Sequence, residues 1–279
     1  MTDGRKIIRA DEGGQNSKAY QYQGDLRVHA DAGQLARAAA ELFVNTAADS
    51  IAARGRFWVA LSGGTTPRRM YKLLATSSFS SRVDWERIRV FWGDERYVPA
   101  NDPDSNYRIS AEALLQHVPI PFMNIYRVPT EVNPPQAAAD TYEHEIRHCF
   151  RVFDVVPQFD LIYLGLGING HTAALFPHSP ALKETSHLVL ADFIAEVNLW
   201  RITMSAPLLN RGRTVAFLVE GQQKAEVLRD VLLGPVDADS LPAQLIAPEG
   251  KLLWMADEAA ASQLPQAERE GGALRWRSK

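Results

Sequence analysis

Cysteine is nearly absent from this sequence of 279 residues, in which Cys149 stands alone. A single cysteine excludes an intrachain disulfide and a zinc site made of several cysteines, and this usage is typical of a reducing compartment. Apolar Ala138, Tyr142 and Ile146 precede it at helical spacing. We therefore predict that Cys149 lies on a buried helix face and does not act as a nucleophile.

Long hydrophobic runs and an excess of positive charge are also missing. No segment resembles a signal peptide or a membrane span, so we expect a cytoplasmic protein with no membrane partner. The formal net charge of −3 gives no general field for nucleic acid, so we expect a small-molecule partner whose charge is met by local groups. His144 and His148 lack a clear third ligand, and no metal site is expected.

Short apolar runs alternate with helical patterns, and 46% of the residues are hydrophobic. Runs typical of buried parallel strands occur at residues 57–61, 88–92, 124–128, 159–164 and 215–219. The pattern predicts an α/β fold with a Rossmann-like, mainly parallel sheet and helices on both faces, one of them over residues 31–55.

Two further divisions of the chain follow from its composition and patterning. Residues 187–204 have strand character without a helical crossover, which favours a small antiparallel annex. We assign residues 1–24 to a polar N-terminal extension and residues 25–279 to a single α/β domain. In such a sheet, ligands bind beyond the carboxyl ends of the strands.

The turn after the first long strand has the composition of an anion site. We expect Thr66 to cap the following helix and Pro67 to be its first residue. Free N–H groups and the helix dipole favour a phosphate at such a start, which glycines allow to approach closely. A tight turn without a ligand is the alternative. The candidate binding residues here are Ser62, Gly63, Gly64, Thr65 and Thr66.

Charged residues crowd the end of the next strand. Arg96 could pair with a phosphate, while Asp94 or Glu95 could accept hydrogen bonds from sugar hydroxyls. A solvated loop with local ion pairs is the alternative. Arg201 and Lys224 are two further candidate cations, although a solvated lysine explains Lys224 almost equally well.

A strand-like run ends in a glycine turn and a histidine within residues 161–177. Gly167 and Gly170 lead to His171, which we predict at the start of a short helix. A neutral imidazole there can take a proton from water, and turn N–H groups can hold an oxyanion. A structural histidine is the alternative. No G-x-S-x-G elbow is present, so we expect water as the nucleophile.

Residues 165–170 also read Gly-x-Gly-x-x-Gly, and Asp192 follows at the distance of a dinucleotide fingerprint. Such a site needs a full crossover helix after the third glycine. Pro177 and Pro180 stop the predicted helix within about two turns. We therefore expect no nicotinamide or flavin cofactor.

Four motifs taken together resemble the 6-phosphogluconolactonases. They are SGGTTP at 62–67, GDER with SNYR at 93–96 and 105–108, LGLG with GHTAALFP at 164–167 and 170–177, and RIT at 201–203. Each motif alone is weak, whereas the four in this order are specific. The resemblance extends from roughly residue 30 to residue 260.

This resemblance implies hydrolysis of 6-phospho-D-glucono-1,5-lactone to 6-phosphogluconate in the oxidative pentose phosphate pathway, without a metal or organic cofactor. It implies the Rossmann-like fold shared with glucosamine-6-phosphate isomerases. His171 would activate water, and residues 62–66, Arg96, Arg201 and Lys224 would surround the phosphate, with Asn106 in the same site. The partner would be a small phosphorylated sugar lactone bound by a monomer or a small homo-oligomer.

The chain departs from the family pattern immediately before Gly170, where the family usually has aspartate and this chain has Asn169. Asparagine can still orient His171 by hydrogen bonding. It cannot stabilise an imidazolium by charge. Because Asn169 can orient His171, we include both residues among the expected catalytic residues.

Two alternative functions share parts of this pattern. A glucosamine-6-phosphate isomerase or deaminase would resemble the chain at the phosphate turn and at His171, but that family carries a carboxylate shortly after the histidine, and residues 172–177 contain none. A non-catalytic sugar-phosphate-binding protein is the other alternative. Such regulators join the fold to a DNA-binding module, and the first thirty residues show no helix-turn-helix pattern.

Overall fold

The computed structural model describes residues 24–265, 268–270 and 273–275. The expected N-terminal extension, residues 1–24, lies outside these residues apart from Gly24. The strands are β1 (Asp25–His29), β2 (Phe57–Leu61), β3 (Ile88–Trp92), β4 (Asp94–Arg96), β5 (Leu161–Gly165), β6 (Val189–Ile194), β7 (Leu199–Met204), β8 (Thr214–Val219), β9 (Lys251–Asp257), β10 (Glu268–Glu270) and β11 (Ala273–Arg275).

The α-helices are α1 (Ala32–Arg54), α2 (Thr65–Leu74), α3 (Ser77–Ser80), α4 (Asn106–Ser110), α5 (Pro135–Phe150), α6 (Ala206–Asn210) and α7 (Ala225–Leu233). A π-helical segment, Ala111–Leu115, continues α4. Short 3-10 turns span Trp85–Arg87, Phe122–Asn124, Pro180–Lys183, Ala195–Val197, Gln222–Lys224 and Pro242–Leu245.

The main sheet has the strand order β10-β11-β1-β9-β8-β5-β2-β3. Every pairing from β1 to β3 is parallel, and the antiparallel β10 and β11 extend the β1 edge. The predicted parallel sheet is therefore confirmed. Its parallel strands all end at one edge, where the following loops come together.

Helices cover both faces of this sheet, as predicted. On one face, α1 and α2 contribute Phe43 and Met70 to a core that includes Val59 of β2. On the other face, Tyr142 of α5 packs in a core that includes Ala60 of the same strand. Because successive strand residues point to opposite faces, β2 is buried on both sides and reads as a continuous apolar run.

The antiparallel annex is a three-stranded sheet with the order β4-β7-β6. The hairpin of β6 and β7 falls within residues 187–204, as expected. Strand β4 was not expected, because three charged residues after Gly93 have the composition of a loop. Its pairing with β7 turns the sequence after β3 away from the main sheet.

One expected strand is not formed. Asn124 is the last residue of the 3-10 turn Phe122–Asn124, and within residues 124–128 only Ile125 makes a bridge, to Val90 of the edge strand β3. Pro121 and Pro129 flank this segment, and a proline cannot donate to a β ladder. The apolar run therefore lies against the sheet edge without extending it.

Helix α1 has the expected caps, whereas the start of α2 is shifted by comparison with the prediction. Asp31 caps α1 by accepting the Gln34 N–H at 2.8 Å, and Gly55 ends it with φ of +77°. Helix α2 begins at Thr65 and its N-cap is Gly64, so the expected Thr66 cap is wrong. Gly64 takes φ of +103°, which lets the turn tighten before the threonines. Cys149 is half-buried on α5, and burial raises its pKa.

A buried carboxylate links three segments of the chain at the amino ends of the parallel strands, the edge opposite the loops that follow these strands. Asp160 accepts the Trp58 N–H at 2.9 Å and pairs with Arg54 at 2.7 Å and Arg213 at 3.4 Å. Burial raises the pKa of Asp160, whereas these partners lower it. None of the described helices is long and apolar enough to cross a membrane.

Asp160→Asn should lower the free energy of unfolding by roughly 1–3 kcal/mol, because one oxygen becomes an amide nitrogen, which cannot accept from the Trp58 N–H or from Arg54. Urea unfolding measures this change. Asp49→Asn, at an exposed position of α1, is the matched control, with an expected change within about 0.5 kcal/mol. Unchanged stability of Asp160→Asn would contradict a structural role for this cluster.

Candidate active site

An open cavity of about 540 Å³ lies at the carboxyl edge of the main sheet. The loops after β2, β5 and β8 and the annex strands β4 and β7 form its walls. Of the residues predicted from sequence, the cavity is lined by Ser62, Gly63, Gly64, Thr65, Thr66, Asp94, Arg96, Asn106, Gly167, His171, Arg201 and Lys224. The expected Glu95, Asn169 and Gly170 do not line it.

The start of α2 presents a polar surface to the cavity. No side chain caps this helix, and its first turn contains no acidic residue. Tyr71 braces the preceding turn, since its hydroxyl donates to the Ser62 carbonyl at 2.6 Å and accepts the Ser62 N–H at 3.2 Å. The helix dipole and the first N–H groups of α2 can therefore attract an anion.

Two arginines face each other across the annex. Arg96 of β4 pairs in register with Arg201 of β7, so their side chains leave the same face of the small sheet. Arg96 donates to the Asp104 carbonyl at 2.6 Å, and Arg201 lies 3.5 Å from Asp94. Within the described part of the chain, neither Nε has a hydrogen-bond partner. These buried donors are suited to an anionic ligand.

Glu95 stabilises the loop that carries these groups. Its carboxylate accepts the backbone N–H groups of Arg96, Asn106 and Tyr107 at 2.7–2.8 Å and the Ser105 hydroxyl at 3.1 Å. Burial raises the pKa of Glu95 to about 7, against the three N–H groups, which lower it. The expectation that Glu95 contacts sugar hydroxyls does not fit, because its oxygens are occupied inside the protein.

The segment after Gly170 does not form the predicted helix. Thr172 and Leu175 form an isolated antiparallel bridge, and Ala173 takes φ of +49°. The Ala174 N–H donates to the Thr203 hydroxyl at 3.1 Å. That bond, with Thr172 Oγ1 donating to the Gly165 carbonyl at 2.9 Å, fixes a tight hairpin where helical hydrogen bonds were expected.

The glycines of this turn hold the histidine in place. The Gly167 N–H donates to the His171 carbonyl at 2.8 Å, and the Gly170 N–H donates to the Gly167 carbonyl at 3.1 Å. These two N–H groups are therefore not free to bind an oxyanion, contrary to the sequence-based expectation. A Cβ at Gly167 would lie 2.0 Å from His171 Nδ1, so only glycine leaves room for the ring.

The His171 ring lies between Phe176, stacked at 4.1 Å between centroids, and Asn169. Asn169 Oδ1 is 2.6 Å from Nδ1 and also accepts the His171 backbone N–H at 3.3 Å. Because that backbone group can only donate, the Asn169 atom is the oxygen, and Nδ1 carries the hydrogen. His171 Nε2 is then the unprotonated nitrogen.

The surroundings of His171 disfavour its charged form. Burial, followed by the charges of Lys224, Arg201 and Arg96, lowers the pKa of His171 to about 4. Burial also lowers the pKa of Lys224. The cavity therefore brings a neutral imidazole and three cationic side chains together.

Sequence reasoning did not select several residues of the cavity wall. Glu220 directly follows β8 and pairs with Arg69 at 3.3 Å. Ile168 is exposed and lies between Gly167 and Gly170 in the turn after β5. Their positions at strand ends were the available signal. The full set is Pro67, Gly165, Leu166, Ile168, Ala173, Leu218, Val219, Glu220 and Gln223. No cluster of His, Cys, Asp and Glu suited to a metal occurs in residues 24–265.

Comparison with solved structures supports both the fold and the family. A 6-phosphogluconolactonase from Trypanosoma brucei superposes with a TM-score of 0.76 at 28% identity, over 88% of this chain and 100% of that one. A monomeric glucosamine-6-phosphate deaminase gives 0.73 at 19% identity, over 85% of this chain and 99% of that one. The second likeness shows a shared fold alone.

Sequence comparison gives a closer relationship. A 6-phosphogluconolactonase from Synechocystis sp. is 44% identical over 216 residues, which cover 77% of this chain and 88% of that protein. Residues 30–254 match the family model described as glucosamine-6-phosphate isomerases/6-phosphogluconolactonase. The chain therefore belongs to the glucosamine-6-phosphate isomerase/6-phosphogluconolactonase family.

Proposed function

We propose that this protein hydrolyses 6-phospho-D-glucono-1,5-lactone to 6-phosphogluconate, a step of the oxidative pentose phosphate pathway. The names of its relatives support this activity. The observation that carries the proposal is a partly buried, neutral histidine, whose Nε2 carries no hydrogen, in the same cavity as Arg96, Arg201 and Lys224. A lactone with a distant phosphate needs both a base for water and a cluster that binds the dianion.

Phosphate binding is assigned to the start of α2 together with Arg96, Arg201 and Lys224. The unpartnered Nε–H groups of the arginines would donate charge-assisted hydrogen bonds to phosphate oxygens. A dianion would also offset the repulsion between the two facing guanidinium groups. Binding energy at the phosphate then orients the lactone carbonyl toward His171.

In the chemical step, His171 Nε2 takes a proton from water while the water oxygen attacks the lactone carbonyl carbon. The carbonyl electrons move to oxygen and form a tetrahedral oxyanion. When this collapses, the bond from the carbonyl carbon to the ring oxygen breaks, and the Nε2 proton passes to that oxygen. The histidine is restored, and the product is the open-chain acid.

The nearby cations would stabilise the oxyanion electrostatically, because the Gly167 and Gly170 N–H groups are already engaged. Asn169 is a positioning residue in this scheme, since it fixes the Nδ1–H tautomer from outside the cavity. Asp94 pairs with Arg201 and keeps that guanidinium directed into the site.

Water, the histidine and these cations are sufficient for the reaction, so the proposal includes no metal or organic cofactor. We place the reaction in the cytoplasm, with the protein acting as a monomer or a small homo-oligomer. An isomerase or deaminase reaction receives less support, because the hairpin after His171 brings Ala173, and no carboxylate, to the cavity.

The phosphorylated lactone should be hydrolysed with a far higher kcat/KM than glucono-1,5-lactone, because only the former contacts the cation cluster. Arg96→Ala should lower kcat/KM for the phosphorylated lactone by at least about tenfold. Arg68→Ala, at an exposed position of α2, is the control and should have little effect. Equal kcat/KM for both lactones, or ammonia release from glucosamine 6-phosphate at a comparable rate, would count against the proposal.

His171→Ala should remain folded and lose a factor of about 10² to 10⁴ in rate above the spontaneous background, because the base is removed. Initial rates of acid release measure the loss. His144→Ala, at an exposed position of α5, should keep the wild-type rate. If His171→Ala kept activity with the wild-type pH profile, the base would lie elsewhere, and Asp94 would be the next group to test.

Asn169→Asp should match or exceed the wild-type rate, because a carboxylate stabilises the imidazolium that forms during water attack. Activity requires unprotonated His171, so kcat/KM should rise with pH through its pKa, near 4 in the wild type. A carboxylate raises that pKa, and the acidic limb should move to higher pH. Lost activity without such a shift would mean that Asn169 is adapted to this site.

A further inference from the structure

The loop after β8 brings Lys224 to the cavity through a turn that only glycine can begin. Gly221 has φ of +94°, a region that other residues rarely adopt. The Lys224 N–H donates to the Gly221 carbonyl at 3.0 Å, which closes the 3-10 turn Gln222–Lys224. The position of the Lys224 backbone therefore depends on how Gly221 is held.

A buried carboxylate on the neighbouring strand holds Gly221. Asp257 is the last residue of β9, which pairs in parallel with β8 through Val219 and Ala256. Its oxygens Oδ1 and Oδ2 lie 3.0 and 3.1 Å from the Gly221 N, and Oδ1 also accepts the Ala260 N–H at 2.7 Å. Asp257 is buried, with 5% of its surface exposed.

We propose that Asp257 is a positioning residue for the anion site, acting through the Gly221 turn to hold Lys224 against the phosphate. The proposal rests on the proposed function, in which Lys224 contacts the phosphate. Asp257 does not line the cavity, so its contribution is indirect. Lys224 is half-buried, and its long side chain has several rotatable bonds, so fixing its backbone reduces the conformational entropy lost when its ammonium binds an anion.

Two variants disturb this link from opposite sides. In Asp257→Asn, an amide nitrogen replaces one of the two oxygens. In either orientation this donor faces the Gly221 N–H, and at the Oδ1 position it also faces the Ala260 N–H. In Gly221→Ala, Asp257 is intact, but the added Cβ is strained at positive φ and lies 2.6 Å from Gln223 Oε1. Both changes should move the turn without touching the phosphate contacts directly.

The test measures the Kd of 6-phosphogluconate by calorimetry for the full chain, together with kcat and KM for the lactone. Asp257→Asn should raise Kd and KM by about tenfold, and kcat should change by less than about threefold. Lys224→Ala should raise Kd similarly, and the double variant should bind no more weakly than Lys224→Ala. Asp160→Asn, a buried carboxylate at the opposite sheet edge, controls for lost stability and should leave Kd unchanged.

Wild-type Kd in Asp257→Asn, or an additive loss in the double variant, would overturn the proposal. If Asp257→Asn does not fold, Gly221→Ala with and without Lys224→Ala gives the same comparison. Wild-type affinity in Lys224→Ala would overturn both the phosphate role of Lys224 and this inference. A wild-type protein that binds 6-phosphogluconate with this coupling but does not hydrolyse the lactone would instead refute the proposed function alone.

Discussion

Two guanidinium groups with like charge, those of Arg96 and Arg201, occupy facing positions on β4 and β7. Such a pair is unfavourable by itself, and Asp94, which lines the cavity, lies 3.5 Å from Arg201. The surrounding structure is arranged to keep the pair in place. Glu95 ties β4 to the start of α4, and β7 continues the annex through β6. The annex thus holds two positive charges close together, and an anionic ligand would balance them.

The same charge determines what His171 can do. Positive neighbours lower the basicity of the imidazole, and they also favour the negative charge that develops when water attacks a carbonyl. In a site of this kind, the weaker basicity of the imidazole is offset by the stabilisation of the oxyanion. Asn169 fixes the tautomer without adding charge, so the balance in this chain lies toward a neutral histidine.

The layout of the fold and the members of the cavity were largely predictable from local patterns. Strands buried on both faces give continuous apolar runs, and parallel strands bring the loops after them to one edge. The details that failed depend on distant partners. The Ala174 N–H donates to Thr203, which lies on a distant strand, and the expected helix does not form. Glu95 is buried because it accepts N–H groups of α4, which follows it by about ten residues. Likewise, nothing near Gly221 in sequence indicates that Asp257 holds it.

The contact between Gly63 and Asn106 links two separate loops of the cavity. A Cβ at position 63 would lie 1.8 Å from Asn106 Oδ1, and Asn106 itself is fixed because its Nδ2 donates to the Asp94 carbonyl at 2.9 Å. A side chain at position 63 would therefore require Asn106 to move or to be replaced. A substitution at position 63 would thus disturb the turn before α2 and the annex together, although they lie on different segments of the chain.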